Sequence, residues 1–389
     1  MMKAGPLAGI RVLELGTNLS APLATMTLGD QGASVIKIET PAGDQLRYSG
    51  ARREGVRGLN TMFLNANRNK RSIALDLKRP EELAAAQGIA AQCDVVVQNY
   101  RPGVAERLGL DYATLRALRP DIIYVSIDGL GRDGPGAKRK VYDIVVQGIA
   151  GFAAAQAGGA DGEPTTMKTT VIDKTTALVA AQAATAALLV RERTGEGQHI
   201  TVSMLDVALS FLWPEIMGST TLIGEGVVPG GSLAAVRYCH RTANGHILVG
   251  YVSNDEFAAL CRVIGRADLI DDPRFADIGQ RFAAADALNE LIAAALVTRP
   301  TEYWLPLLEA ADGIYAPVNS PEQVIADPLV RHAGSLTVHE HPLAGTYRQP
   351  VHPARFGGTP ATLRRHAPAL NEHRAEVLAE FGITLEERP

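Results

Sequence analysis

Short apolar runs alternate with helical patterns along the first half of the chain. Arg11–Gly16 (RVLELG) and Ser34–Glu39 (SVIKIE) read as strands. Between them, Pro22–Gly32 reads as a helix with its proline in the first turn. The pattern repeats with a strand at Arg71–Lys78, a helix at Pro80–Cys93 and a strand at Asp94–Tyr100 (DVVVQNY). After short helices at Val104–Leu108 and Tyr112–Leu118 comes a strand at Asp121–Ile127 (DIIYVSI). Almost unbroken apolar strands are those buried on both faces, as in a parallel sheet between helices. The pattern therefore predicts an open, Rossmann-like α/β sheet whose ligand site lies beyond the carboxyl ends of its strands. Those ends are the segments Thr17–Ser20, Asn99–Tyr100 and Asp128–Gly131.

The longest regular stretch is Val171–Arg193, rich in Ala and Leu, which favour helix. Gly195 and Gly197 then stop it. Asp173 is the one carboxylate at its start, and two readings remain open. As an N-cap, its oxygen would accept a bond from an otherwise orphaned amide. As a nucleophile, it would be an anion favoured by the helix dipole by about 0.3–1 kcal/mol, with an ordinary pKa of about 3.9.

Beyond that helix, His199–Leu205 reads as a strand and Asp206–Met217 as a helix, and a loose glycine-rich stretch at 220–232 marks a boundary. Tyr238–Tyr251 reads as a hairpin turning at Asn244-Gly245. Helices follow at Asp255–Ile264, Phe282–Leu296 and Thr301–Ala311, the last containing Pro306. The expected division is a large α/β domain over 1–215, a small α+β domain over 216–325 and a C-terminal segment over 326–389 that returns to the large domain. That segment carries His339, His341, His352, His366 and His373, expected as surface or capping histidines.

Composition narrows the function. A formal net charge of −4 argues against nucleic acid as a partner. The uncharged runs are too short and too polar for a membrane span of about 20 apolar residues, and the start shows no signal-peptide pattern, so a soluble, cytoplasmic protein is expected. Three widely spaced cysteines give neither a disulfide framework nor a zinc site, and no histidine spacing suits a metal. The turn after the first strand, Gly16-Thr17-Asn18-Leu19-Ser20, lacks G-x-G-x-x-G, which counts against a nicotinamide dehydrogenase. Gly129-Leu130-Gly131-Arg132-Asp133-Gly134 has that spacing but runs into Pro135 and is read as a loop. The basic runs Arg68–Arg71 and Lys138–Lys140 are either solvated surface or phosphate contacts.

Several segments together resemble the family III CoA-transferases, the CaiB/BaiF type that includes formyl-CoA:oxalate and crotonobetainyl-CoA:carnitine CoA-transferases. These are Leu7–Leu15 (LAGIRVLEL), Gly32–Glu39 (GASVIKIE), Asn69–Lys78 (NKRSIALDLK), Asn99–Gly103 (NYRPG), Arg193–Gln198 (RTGEGQ), Asp272–Phe275 (DPRF), Ala316–Ser320 (APVNS) and Glu372–Leu378 (EHRAEVL). The resemblance implies that Asp173 is the nucleophile. It places CoA contacts at Asn18, Leu19, Ser20, Leu75, Lys78, Asn99, Tyr100, Arg107 and Lys140. An arginine that contacts CoA in the family is replaced here by Thr40. Tyr142, Asp143, Gln147 and a shortened glycine loop at Gly230 and Gly231 are expected to border the acyl pocket.

The resemblance further implies an interlocked, threaded homodimer, acyl-CoA and a small carboxylic acid as substrates, and no permanently bound cofactor. The implied chemistry is covalent, through a mixed anhydride and an aspartyl-CoA thioester, with amides at the start of the Asp173 helix steadying the oxyanions. The related α-methylacyl-CoA racemases are the alternative. They carry a Gly-His-Asp stretch where this chain has Arg139-Lys140-Val141-Tyr142-Asp143, without histidine.

Overall fold

Six parallel strands form the main sheet of this computed structural model, which describes residues 5–157, 162–228 and 236–385. They are β1 (Arg11–Glu14), β2 (Ser34–Glu39), β3 (Lys70–Ala74), β4 (Val95–Gln98), β5 (Ile123–Asp128) and β6 (His199–Ser203), in the order β3-β2-β1-β4-β5-β6. The register sets Leu13 beside Ile36 and Val96, and Val96 beside Tyr124. Every residue of β4 and β5 is buried, as their apolar runs require when helices cover both faces. The chain reverses direction across the sheet between β1 and β4, where such folds bind ligands.

The chain divides into two units. The first, Met1–Ala150, Lys168–Leu209 and Leu329–Pro389, contains the six-stranded sheet. Its core joins Leu13, Ile36, Ile73, Val96 and Tyr124 to Val377 and Phe381 of the C-terminal helix, Arg374–Glu380. The second, Gly151–Met167 and Ser210–Pro328, has a three-stranded antiparallel sheet of β7 (Cys239–Arg241), β8 (His246–Gly250) and β9 (Ile314–Pro317). Phe257, Leu260, Phe275, Leu288, Ile292 and Trp304 are buried together in its core. The helix expected over Phe282–Leu296 is two, Ile278–Ala283 and Ala285–Leu296, and the first starts early because the Asp277 side chain caps it. The Thr301–Ala310 helix continues through Pro306.

Two features depart from the sequence pattern. A hairpin of β10 (Leu336–His341) and β11 (Gly345–Pro350) lies in the histidine-rich tail. Its turn has no Asn-Gly; His341 Nδ1 accepts the amides of Leu343 and Ala344 instead. His341 is thus a capping residue, but a buried one.

The basic run Arg68–Arg71 is also buried, neither solvated nor free for phosphate. Arg68 pairs with Asp30 at 2.7 Å, Lys70 with Glu14 at 2.7 Å, and Arg71 with Glu376 and Glu380. Cations removed from water need such partners, and here each finds carboxylates brought by other elements. Glu39, the acidic residue ending β2, is likewise occupied. Arg47 grips it with two donors at 2.7 and 2.6 Å, and Ser72 adds a third. No ribose-binding carboxylate remains there, which removes the remaining basis for a dinucleotide site.

Candidate active site

The loop after β1 is shaped by buried charge. Glu14, at the end of β1, accepts from Lys37 at 2.5 Å and pairs with Lys70 at 2.7 Å. Burial alone would raise its pKa, but these two ammonium groups hold it down at about 2. Lys37 also reaches the Gly16 carbonyl at 2.9 Å and Asp44 at 2.9 Å. Asp44 in turn accepts the amide of Asn18 at 3.2 Å. Asn18 sits at φ 62°, a left-handed conformation that Asn tolerates better than most residues. A side chain at Gly16 would put its Cβ 2.4 Å from that of Ala21. Only glycine lets the loop enter the Ser20–Asp30 helix so tightly.

A cavity of about 370 Å³ opens beyond the strand ends. Its walls include Thr17, Asn18 and Ser20 after β1; Asn99, Tyr100 and Arg101 after β4; and Asp128, Gly129 and Gly131 after β5. Arg139, Tyr142 and Asp173 complete it. The position is the one the strand pattern predicts, because convergent strand ends leave a crevice at the reversal point.

Asp173 is not an N-cap. The helix runs Val171–Thr194 with Thr170 at the cap position, so Asp173 is in its first turn. The capping is done by Asp143, from the start of the Asp143–Ile149 helix. Its Oδ2 accepts the amides of Ile172 at 2.7 Å and Asp173 at 3.0 Å, while Oδ1 accepts from Gln147 at 2.5 Å. Those two amides are therefore committed, and the expectation that they steady oxyanions is corrected. The far end follows the sequence reading, with Gly195 at φ 76°.

Burial is the main reason that the Asp173 carboxyl is held up at about 6, from an ordinary 3.8. The Asp143 carboxylate adds repulsion, while Ser20 and Lys174 pull the other way. Loss of its proton makes it an anion, so any reaction that uses Asp173 as a nucleophile should slow below about pH 6 rather than below pH 4. Rate–pH profiles would check this, and a flat profile down to pH 4.5 would count against Asp173 as the reacting group.

The cavity collects Asn18, Ser20, Asn99, Tyr100, Tyr142 and Asp173 from the residues singled out by sequence. The others lie elsewhere. Leu19 packs with Leu46, Leu59 and Phe63, and Leu75 is buried in the sheet core. Lys78, Arg107 and Lys140 are exposed outside the lining. Asp143 and Gln147 are buried behind the Asp173 helix start and do not line the cavity. Gly230 and Gly231 fall outside the described residues. Sequence reading missed Gln45 and Arg101 as wall residues, whereas Asp128 lies in a strand end and Arg139 in a basic run that it had singled out. Arg101 adjoins Tyr100, which was picked, and adjacency was the available signal. Burial raises the pKa of Asp128, and the Gly131 amide opposes that.

Among the described residues no group of three or more His, Cys, Asp or Glu could hold a metal, and no helix is long and apolar enough to cross a membrane.

Comparison with known proteins gives a consistent picture. The profile of CoA-transferase family III matches residues 7–374. The chain is 34% identical to succinyl-CoA:glutarate CoA-transferase of Mus musculus, over 96% of this chain and 86% of the relative. It is 35% identical to succinate–glutarate CoA-transferase of Agrobacterium fabrum, over 97% of this chain and 96% of the relative. The crystal structure of a CAIB/BAIF family protein from Brucella suis superposes with a TM-score of 0.83 at 32% identity, covering 97% of this chain and 100% of that one.

Proposed function

The chain belongs to CoA-transferase family III and is an enzyme of the CoA-transferase type, and from that premise we propose that it transfers CoA through covalent intermediates on Asp173. The observation that carries this reading is a half-buried carboxylate, facing the cavity at the sheet's reversal point, with Asp143 fixing its main-chain amide and Ser20 on the same cavity wall. One Asp173 oxygen attacks the donor thioester carbon; the C–S bond breaks and CoA leaves as thiolate, giving a mixed anhydride. The thiolate then attacks the Asp173 carboxyl carbon and releases the donor acid, leaving an aspartyl-CoA thioester. The acceptor carboxylate attacks that thioester, and the freed thiolate finally takes the acyl group from the new anhydride. Dividing one hard exchange into easier ones is the gain from covalent catalysis.

Asn18, Ser20, Asn99 and Tyr100 form the cavity side of the proposed CoA site, with Leu19 and Leu75 contributing main chain. Lys78 and Lys140 would meet phosphates from outside the lining as point charges, and Arg107 as a planar fork. Tyr142 borders the acyl group, while Asp143 and Gln147 act from behind by fixing the helix start. The acids proposed are short dicarboxylates, because relatives over nearly the whole chain are named for succinate and glutarate. Arg101 and Arg139 supply cations in the cavity wall suited to carboxylates or phosphates. We also propose a threaded homodimer, which sedimentation at micromolar concentration would test; a monomer there would remove it.

Incubation with succinyl-CoA and a panel of free acids, read by mass spectrometry, should give glutaryl-CoA faster than any monocarboxylic product. If CoA moves to no acid while a branched acyl-CoA gains α-deuterium in deuterium oxide, the racemase reading replaces this one.

A further inference from the structure

The commitment of the Ile172 and Asp173 amides to Asp143 leaves a chemical gap. When thiolate attacks the Asp173 carboxyl carbon, the negative charge that develops on the carboxyl oxygen needs a donor. The loop after β1 holds one. Ser20 is the first residue of the Ser20–Asp30 helix and is 3% exposed. Its hydroxyl and the Asp173 carboxyl share the cavity wall, and Ser20 favours the ionised form of that carboxyl. Ser hydroxyls inside helices usually turn back to a carbonyl one turn earlier, but the first helical residue has no such carbonyl within the helix.

Asn99 sets the direction of the Ser20 proton. Its Oδ1 accepts the Thr17 amide at 3.0 Å, and its Nδ2 donates to the Thr17 carbonyl at 2.9 Å. This pairing fixes which end of the amide is nitrogen. The second Nδ2 hydrogen goes to Ser20 Oγ at 3.2 Å. A hydroxyl that accepts from Asn99 keeps its single proton for another acceptor, and the Asp173 carboxyl lines the same cavity. Asn99 thereby commits both Nδ2 hydrogens within the protein and is a positioning residue.

We propose that Ser20 is a catalytic residue, the hydroxyl donor that stabilises the oxyanion formed at the Asp173 carboxyl when the aspartyl-CoA thioester is made and broken. The proposal rests on Asp173 being the nucleophile. The Asp173 oxygen that accepts the Ser20 hydrogen bond in this step becomes the carbonyl oxygen of the mixed anhydride, and the other oxygen attacks the donor. Thiolate addition then forms a C–S bond at the Asp173 carbon, pushes the electron pair onto the oxygen held by Ser20, and expels the donor carboxylate as the pair returns. No proton changes owner. The first attack places its oxyanion on the donor's own carbonyl, away from Ser20, so the two halves of the reaction depend on Ser20 differently.

That asymmetry supplies the test. Ser20→Ala keeps a good helix former in the same volume and should fold normally. With succinyl-CoA and glutarate its kcat should fall about 10²-fold, the scale of losing one oxyanion donor, with KM for succinyl-CoA within about threefold. In hydroxylamine it should release succinyl hydroxamate from the anhydride at close to the wild-type rate, while hydroxamate on Asp173 falls about as far as kcat. A change confined to KM, or an unchanged hydroxamate partition with kcat within about threefold, would overturn the role of Ser20. Failure of the Asp173 reading itself would look different, because Asp173→Asn would then remain active and neither enzyme would carry a hydroxamate at that position.

Discussion

Asp173→Asn should abolish CoA transfer, lowering turnover by about four to six orders of magnitude, the range found when an enzyme's nucleophile is removed. An amide cannot form the mixed anhydride, and neither Asp143 nor Asp128 can replace it. Asp143 is buried and occupied by two amides and Gln147, and Asp128, at the end of β5, is engaged by the Gly131 amide at 2.5 Å. With succinyl-CoA and hydroxylamine, the wild type should acquire a hydroxamate on the peptide containing Asp173, and the variant should not. Near-normal transfer by the variant, with no adduct on either enzyme, would sink the mechanism.

The same substitution should not weaken the fold. Asn keeps the main-chain amide that Asp143 accepts, and no cap is lost because Asp173 is not the cap. Its folded pKa lies above the ordinary value, so Asp173 contributes fully to stability only when protonated at low pH, and that contribution is lost as pH rises through about 6. At neutral pH the ionised carboxylate therefore costs stability. From 3.8 to about 6, at about 1.4 kcal/mol per pH unit, the full cost is ~3 kcal/mol, and solvent screening in an open cavity leaves about 1–2. Asp173→Asn should accordingly be more stable than wild type at pH 7.5 and no more stable near pH 4. Chemical denaturation at the two pH values would show it.

Lys37→Met should destabilise the sheet unit by about 3–5 kcal/mol, because removing one partner of a buried ion pair leaves an uncompensated charge. Lys37 is fully buried among Glu14, Asp44 and the Gly16 carbonyl. After its loss, Glu14 keeps Lys70 and Thr25, whereas Asp44 loses its cation. The fraction that folds should also transfer CoA more slowly, since Asp44 holds the Asn18 amide and the same loop carries Ser20. Urea denaturation with activity measured on the folded fraction separates the two effects. A loss below about 1 kcal/mol would mean that water reaches the network, contrary to the burial seen here.

The alternation of apolar runs determined much of this protein. β4 and β5 are apolar because both faces are covered, so their existence and parallel setting were legible, and with them the crevice at their carboxyl ends. The Ala-rich run and Gly195 determined the long helix and put Asp173 in its first turn. Periodicity reports burial and local conformation, and these are properties of neighbouring residues.

What only the tertiary structure decided concerns partners far apart in sequence. Whether Asp173 or another group caps its helix depended on Asp143, thirty residues earlier. Whether Arg68–Arg71 met water or carboxylates depended on Glu14, Asp30 and the C-terminal helix. The engagement of Asn99 with Thr17 and Ser20 crosses about eighty residues. A buried charge or amide must be satisfied, and the sequence states that demand. Which group satisfies it is a matter of distances of about 3 Å, and those exist only after the strands have packed.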